Sequence, residues 1–466
     1  MRYRRAGMAG AALWLSAAAP DPGVEAAVRA ALAQAPAGTR FGLVVRDAGG
    51  VERVAIDADN RFVPASNTKI FTTIAAFANL PMDGPDGART GVRIEGRDVV
   101  LVGAGDARLS SAEDCASDCL STLADAVAAG TRVVGDVIGD DSAFPDQRWS
   151  PGMGWNNIVT RYGTGISALT LDDNELALTV GVEDGKAVVS GSDYYRIDNR
   201  VTVGPGNAIA YDRMPGSDLL RVSGTVARGA SERIRVGIDD PAHYAAWKLA
   251  KMLRSKGVRV TGRVLVRHRP YRAAEDGAVV QRGVSPPMLT QTQPGALRED
   301  IAVTNKVSQN LHAELLLRRV GAVQGSGSIA DGLKKVSAIM ALADVPRTAW
   351  DLSDGSGMST YNRVTPRAMV ALLGWARMQP WGAAWLETLP VAGVDGTLAR
   401  RFKGTALADK LRAKTGSLAG TSALAGTMTA ASGQTLTFAL YANDIPEGTS
   451  ATAAMDAALL AVAAGL

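Results

Sequence analysis

The stretch PASNTKIFTTIAAF, residues 64–77, sets Ser66 three positions before Lys69 at the mouth of an apolar run with helical period. Ile70, Phe71, Ile74 and Phe77 share one face, so the segment reads as a buried helix. Positions three apart on a helix are neighbours, which lets the Ser66 hydroxyl meet the Lys69 amine. Near a helix start, Ser66 would also lie in the positive end of the helix dipole, where an oxyanion is stabilised. The same residues equally describe a serine cap with a lysine nearby. The rest of the chain has to decide between cap and nucleophile.

Outward from this stretch, residues 22–34 form an amphipathic helix pattern. The strand-like runs FGLVVRD and VERVAID then meet across Gly49-Gly50, a hairpin signal. From about 85 to 290 the texture becomes β-rich, with short Val/Ile/Leu/Thr runs between Gly, Asp and Pro turns. One helix-like segment, HYAAWKLAKMLRSKG, interrupts it and ends at Gly257. Helical runs return from about 300. The chain closes with the strands SALAGTMTA and QTLTFALYAND and a last helix at about 450–464. Strands from both ends can therefore share one sheet, giving an α/β (α+β) chain with the β-rich part inserted. The organisation expected is a leader over 1–19, a catalytic domain from 20–84 and 291–466, and an insertion over 85–290 forming one or two extra domains.

The 466 residues suffice for two or three domains, and 47% hydrophobic with 21% charged residues is globular composition. Basic residues number 50 and acidic 46, without a basic stripe, so nucleic acid is not an expected partner. Arg2, Arg4 and Arg5, an apolar run over 6–15 and Ala17, Ala18 and Ala19 make a secretory leader pattern. The run is too short to span a bilayer, and no transmembrane anchor is expected. Losing the three arginines would take the formal charge from +4 to +1. The protein therefore reads as exported. Cys115 and Cys119, four apart, could form a local disulfide on one helix face, or remain two thiols. With no His or Cys partner in the nearby sequence, they do not suggest a metal site.

Three further stretches carry chemistry. In KVSQNLHAELLL, Ser308 and Asn310 stand two apart where a loop enters a helix, either as a cap or as groups facing a cleft. In RAKTGSLAGT, Lys414-Thr415-Gly416 opens a strand, and Gly416 allows another backbone to come close. A strand edge there could pair with an extended peptide. DGSGMSTYNRVTP, residues 354–366, is a Gly-rich turn that could be no more than a connector.

The order S-x-x-K, S-x-N, K-T-G on a helix, a loop and a strand is the motif set of the penicillin-recognising serine enzymes. The long gap from Lys69 to Ser308 resembles the class C low-molecular-mass penicillin-binding proteins, the D-Ala-D-Ala carboxypeptidase/endopeptidase family. PASNTKIFTTIAAF, DDSAFP (140–145), YGTGISALTLDDNEL (162–176), DGSGMSTYNRVTP and VAGVDGTLARRF (391–402) are similar to that family too, whereas GAGDARL (103–109) lacks a proline after Asp106. The resemblance implies a β-lactamase/transpeptidase-like antiparallel sheet flanked by helices, no cofactor, peptidoglycan peptides as substrate and β-lactams as covalent inhibitors. It makes Ser66 the nucleophile, Lys69 its base, Ser308 a proton relay and Asn310 the group orienting substrate and Lys69. Lys414 and Thr415 would bind the terminal carboxylate beside Gly416, and the N–H groups of Ser66 and Ser417 would form the oxyanion hole.

A lysine base needs its pKa lowered from about 10.4 by about three units. Burial and the neighbouring Lys414 are the expected causes. Of the three histidines, His243 and His268 fit no triad, and His312 reads as second layer or core. A β-lactamase or esterase of the same fold, and a non-catalytic wall-binding protein, are the competing readings.

Overall fold

Asp47 closes the first hairpin. Its carboxylate accepts the N–H groups of Gly49 (2.9 Å) and Val51 (3.0 Å), and Gly50 takes φ 85°. The hairpin strands, Arg40–Arg46 and Glu52–Ile56, complete a sheet whose other members come from the far end of the chain. In the computed structural model, which describes residues 22–280 and 286–466, the sheet order is Leu411–Leu418, Thr421–Thr429, Thr435–Asn443, Arg40–Arg46, Glu52–Ile56. Every neighbouring pair is antiparallel. The leader pattern over 1–19 lies outside the described residues.

Alternation of side chains splits the sheet between two cores. Val44, Ala439 and Tyr441 face the helices Thr68–Asn79 and Pro366–Arg377. Leu43, Val45, Phe438 and Leu440 face the terminal helices Pro22–Leu32 and Thr452–Gly465. With both faces covered, the central strands carry apolar runs such as FGLVV and FALYA rather than alternating. Each fully buried Leu, Val or Phe contributes about 1.5–3 kcal/mol of transfer energy. The sheet is thus a rigid base, and its outermost strand, Leu411–Leu418, carries Lys414-Thr415-Gly416.

Between these parts lies a second five-stranded sheet, ordered Val264–Pro270, Val137–Asp146, Asp98–Val102, Gly91–Glu95, Thr290–Gln291. Two three-stranded sheets, built from 175–237, share its apolar core. The helix expected before Gly257 is Pro241–Ser255. Asp240 caps it by accepting His243 N–H at 3.0 Å, and Gly257 follows at φ 79°. A second helix, Leu120–Gly130, was not expected; its sequence is short and rich in alanine, and it buries only one stripe.

Cys115 and Cys119 are disulfide-bonded. They do not share a helix face: both precede Leu120–Gly130, with Asp118 between them in the left-handed region at φ 53°. Among the described residues, no helix is long and apolar enough to cross a membrane.

Candidate active site

Ser66 sits in a one-turn 3₁₀ segment, Ala65–Asn67, that runs into the helix Thr68–Asn79. It caps nothing there: among the described residues neither segment start has a side-chain cap. Ser66 Oγ instead accepts from Lys69 Nζ at 2.9 Å. Lys69 also donates to Asn310 Oδ1 at 2.6 Å and to the Ser356 carbonyl at 2.6 Å. All three N–H bonds of its ammonium are therefore engaged.

Lys69 is fully buried, and burial brings its pKa down to about 7 against the pull of the Asp354 and Glu314 carboxylates. Lys414 is fully buried as well, and burial followed by the Lys69 charge holds it well below the usual lysine range. The sequence assigned part of the Lys69 shift to Lys414. In the structure desolvation is the largest cause at both lysines, and the Lys69 charge adds to it at Lys414.

The second motif converges on the same point. Ser308 stands between the helices Leu297–Lys306 and Asn310–Ala322 at φ 65°, a strained conformation for a serine. Its Oγ accepts from Lys414 Nζ at 2.9 Å. Gln309, not Ser308, caps the following helix, accepting Leu311 N–H at 3.2 Å. Asn310 donates from Nδ2 to the Tyr162 carbonyl at 3.0 Å, which fixes its Oδ1 toward Lys69.

The third motif supplies the wall of the cleft. Lys414 also donates to the Thr415 carbonyl at 3.0 Å, and Thr415 Oγ1 lies 2.8 Å from Thr397 Oγ1. The backbone that Gly416 admits is that of the Ser66 turn: a Cβ at 416 would stand 2.6 Å from Pro64 O and 3.1 Å from Ser66 N. Asn67 ties the two together by donating to the Lys414 carbonyl at 2.7 Å. Ser66, Ser308, Asn310, Thr415, Ser417 and Tyr162 border one cleft of about 600 Å³. Ser66 and Ser308 each accept from a buried lysine and each open onto that cleft. The arrangement can move protons to and from an acyl group bound there.

Several contributors had no role assigned to them from the sequence. DGSGMSTYNRVTP is no mere connector: Ser356 gives its carbonyl to Lys69, and Asp354 lies buried beneath. Gly357, at φ 90°, packs so closely that a Cβ would fall 1.9 Å from Ala65 O. Glu314, one acidic residue in the apolar run HAELLL, was the visible signal on its helix. Tyr162 acts through a backbone carbonyl and Thr397 through a hydroxyl; both lie in stretches similar to the family, which gave neither a role. His312, read as second layer or core, is buried between Asp300 (2.6 Å) and Asp173 (2.9 Å).

Residues 24–464 match the model of the D-Ala-D-Ala carboxypeptidase 3 (S13) family. The chain belongs to that family. It is 32% identical over 452 residues to the D-alanyl-D-alanine carboxypeptidase of Actinomadura sp. (strain R39), covering 91% of this chain and 79% of that one. It is 25% identical over 437 residues to the D-alanyl-D-alanine carboxypeptidase DacB of Haemophilus influenzae, covering 89% and 87%. The crystal structure of penicillin binding protein 4 (dacB) from H. influenzae superposes with a TM-score of 0.78 at 22% identity, over 93% of this chain and 98% of that one. The S13 chain is thus a serine-type D-alanyl-D-alanine carboxypeptidase on a β-lactamase/transpeptidase fold.

Proposed function

We propose that this S13 enzyme hydrolyses the bond between the two D-alanines of peptidoglycan stem peptides, and the equivalent bond of crosslinks, through an ester on Ser66. The observation that carries the reading is the 2.9 Å contact between Ser66 Oγ and a fully buried Lys69 with a pKa of about 7. Neutral Lys69 takes the Ser66 proton as Oγ bonds to the substrate carbonyl carbon. The C–N bond then breaks, and the leaving amine gains its proton through Ser308 from the lysine pair. Water attacks the ester, gives its proton to Lys69, and Ser66 regains its own. Each donor in the oxyanion hole formed by the Ser66 and Ser417 N–H groups is worth about 3–4 kcal/mol where such donors have been removed. Asn310 orients substrate and Lys69, while Thr415 beside Gly416 holds the terminal carboxylate, with Lys414 buried behind it on Ser308. Every proton has a protein partner, so these steps call for no cofactor.

The H. influenzae penicillin binding protein 4 has also been solved complexed with a β-lactam. On the same chemistry, β-lactams acylate Ser66 here and leave slowly. The catalytic domain comprises 20–84 and 291–466, with 85–290 inserted; a leader over 1–19 directs export, to the periplasm in a cell with two membranes.

The test is incubation with fluorescent penicillin, with a cell-wall pentapeptide and with a crosslinked dimer. Persistent labelling with D-alanine release is expected, and Ser66→Ala should abolish labelling while staying folded. A labelled Ser66→Ala protein refutes the nucleophile assignment. Rapid penicillin turnover would make the enzyme a β-lactamase, and absence of any covalent label a wall-binding protein.

A further inference from the structure

A neutral amine has two N–H bonds and one lone pair, whereas the Lys69 site offers three oxygen partners. Two of these, Asn310 Oδ1 and the Ser356 carbonyl, can only accept. Ser66 Oγ can also donate. When Lys69 is deprotonated, its two N–H bonds stay on the pure acceptors and the lone pair is left facing Ser66. Aim therefore depends on the Ser356 carbonyl holding its direction. That direction is set from behind: Glu314 Oε1 accepts both Gly355 N–H and Ser356 N–H at 2.9 Å. Thr72 Oγ1 holds the Gly355 carbonyl at 2.7 Å from the other side.

The remaining Glu314 oxygen accepts from Arg318 Nη1 at 3.1 Å and from Ser150 Oγ at 3.4 Å. Arg318 also donates to the Gln147 carbonyl at 3.2 Å. Glu314 and Arg318 are 4% and 1% exposed. A buried ion pair on one helix is by itself weak evidence of stabilisation. Here, however, one carboxylate oxygen is spent on the loop and not on the arginine. We propose that Glu314 is a positioning residue of the acylation step, fixing the 355–356 backbone so that the Lys69 amine stays aimed at Ser66.

The inference rests on the Ser66–Lys69 reading above, and Ser66→Ala labelling tests that reading separately. The charged groups around Lys69 are Glu314 and Arg318 on one helix, Asp354 on the loop and Lys414 on the strand. The experiment follows the rate of fluorescent-penicillin labelling from pH 5 to 9, beside thermal unfolding, for three variants. Glu314→Gln keeps an acceptor but loses a charge that retains the Lys69 proton; its acid limb should move at least about half a unit toward lower pH. Glu314→Ala frees the loop and should slow labelling at least about tenfold on the alkaline plateau. Because an unpaired Arg318 can unfold either protein, Thr72→Val supplies a gentler release of the same backbone. It should slow labelling at least about threefold at near-native melting temperature. Folded Glu314 variants with the native rate and the native limb overturn the proposal. If neither folds, a Thr72→Val protein labelled at the native rate does so.

Discussion

Lys69 must be uncharged to take the Ser66 proton, so acidification is the most direct perturbation of the chemistry. With a pKa of about 7, the amine is neutral in about a tenth of molecules at pH 6, half at pH 7 and nine tenths at pH 8. Acylation should therefore rise about tenfold from pH 6 to pH 8 and then level. Asp354 modifies the lower part of this limb. Burial, and then repulsion from Glu314, raises its pKa to about 6. As pH falls through 6, Asp354 takes up a proton and no longer helps Lys69 to keep its own. The limb should consequently fall less than tenfold per pH unit below 6. The assay is the second-order rate of fluorescent-penicillin labelling at constant ionic strength, with Ser66→Ala as the blank. A rate that is flat between pH 6 and 8, or a limb centred above pH 9, refutes the assignment of Lys69 as base.

Other perturbations test the surrounding geometry. Lys69→Ala should remain folded and label about 10²–10⁴-fold more slowly, the usual share of a positioned base; gel labelling against time reads this. Gly416→Ala forces a Cβ to within 2.6 Å of Pro64 O. It should cost about 1–3 kcal/mol in denaturant unfolding and slow labelling at least about tenfold, because the Ser66 turn must move. His312→Ala leaves Asp300 buried without its partner and should destabilise by about 3–5 kcal/mol at pH 6. Burial alone would lower the His312 pKa, but the Asp300 and Asp173 carboxylates raise it to about 10. The stability it contributes is whole below the unfolded value of about 6.5 and fades as pH rises toward 10. Urea midpoints of the two proteins should therefore converge over that range.

The parts of the molecule legible in the sequence are those with a local cause. The Gly49-Gly50 hairpin, the helix ending at Gly257 and the two closing strands follow from turn chemistry and periodicity, and the structure has each of them. The three motifs were readable because their residue types are rare in that order. The structure joins Ser66, Lys69 and Asn310 in one hydrogen-bonded set and Ser308 with Lys414 in another, and both serines line the same cleft. What stayed hidden acts through backbone or through space. The Tyr162 and Ser356 carbonyls exist whatever the side chain, so their roles leave no mark in the letters. Glu314 and Asp354 looked like ordinary acids until the fold placed them beneath Lys69. The disulfide was readable as a spacing but not as a loop, because Asp118 takes a left-handed conformation that a helix excludes.

The hydrogen bond from Asn310 to Tyr162 spans 148 residues of chain and bears on how the protein could be shortened. Excise the region holding Tyr162, and the carboxamide is free to swivel, turning its NH₂ toward an amine that is itself a donor. Such a minimised chain would keep all three signature motifs yet take up penicillin only sluggishly, so brisk labelling of a folded truncation would contradict this. What looks like an accessory module thus supplies, through the Tyr162 carbonyl, part of the centre's own scaffolding.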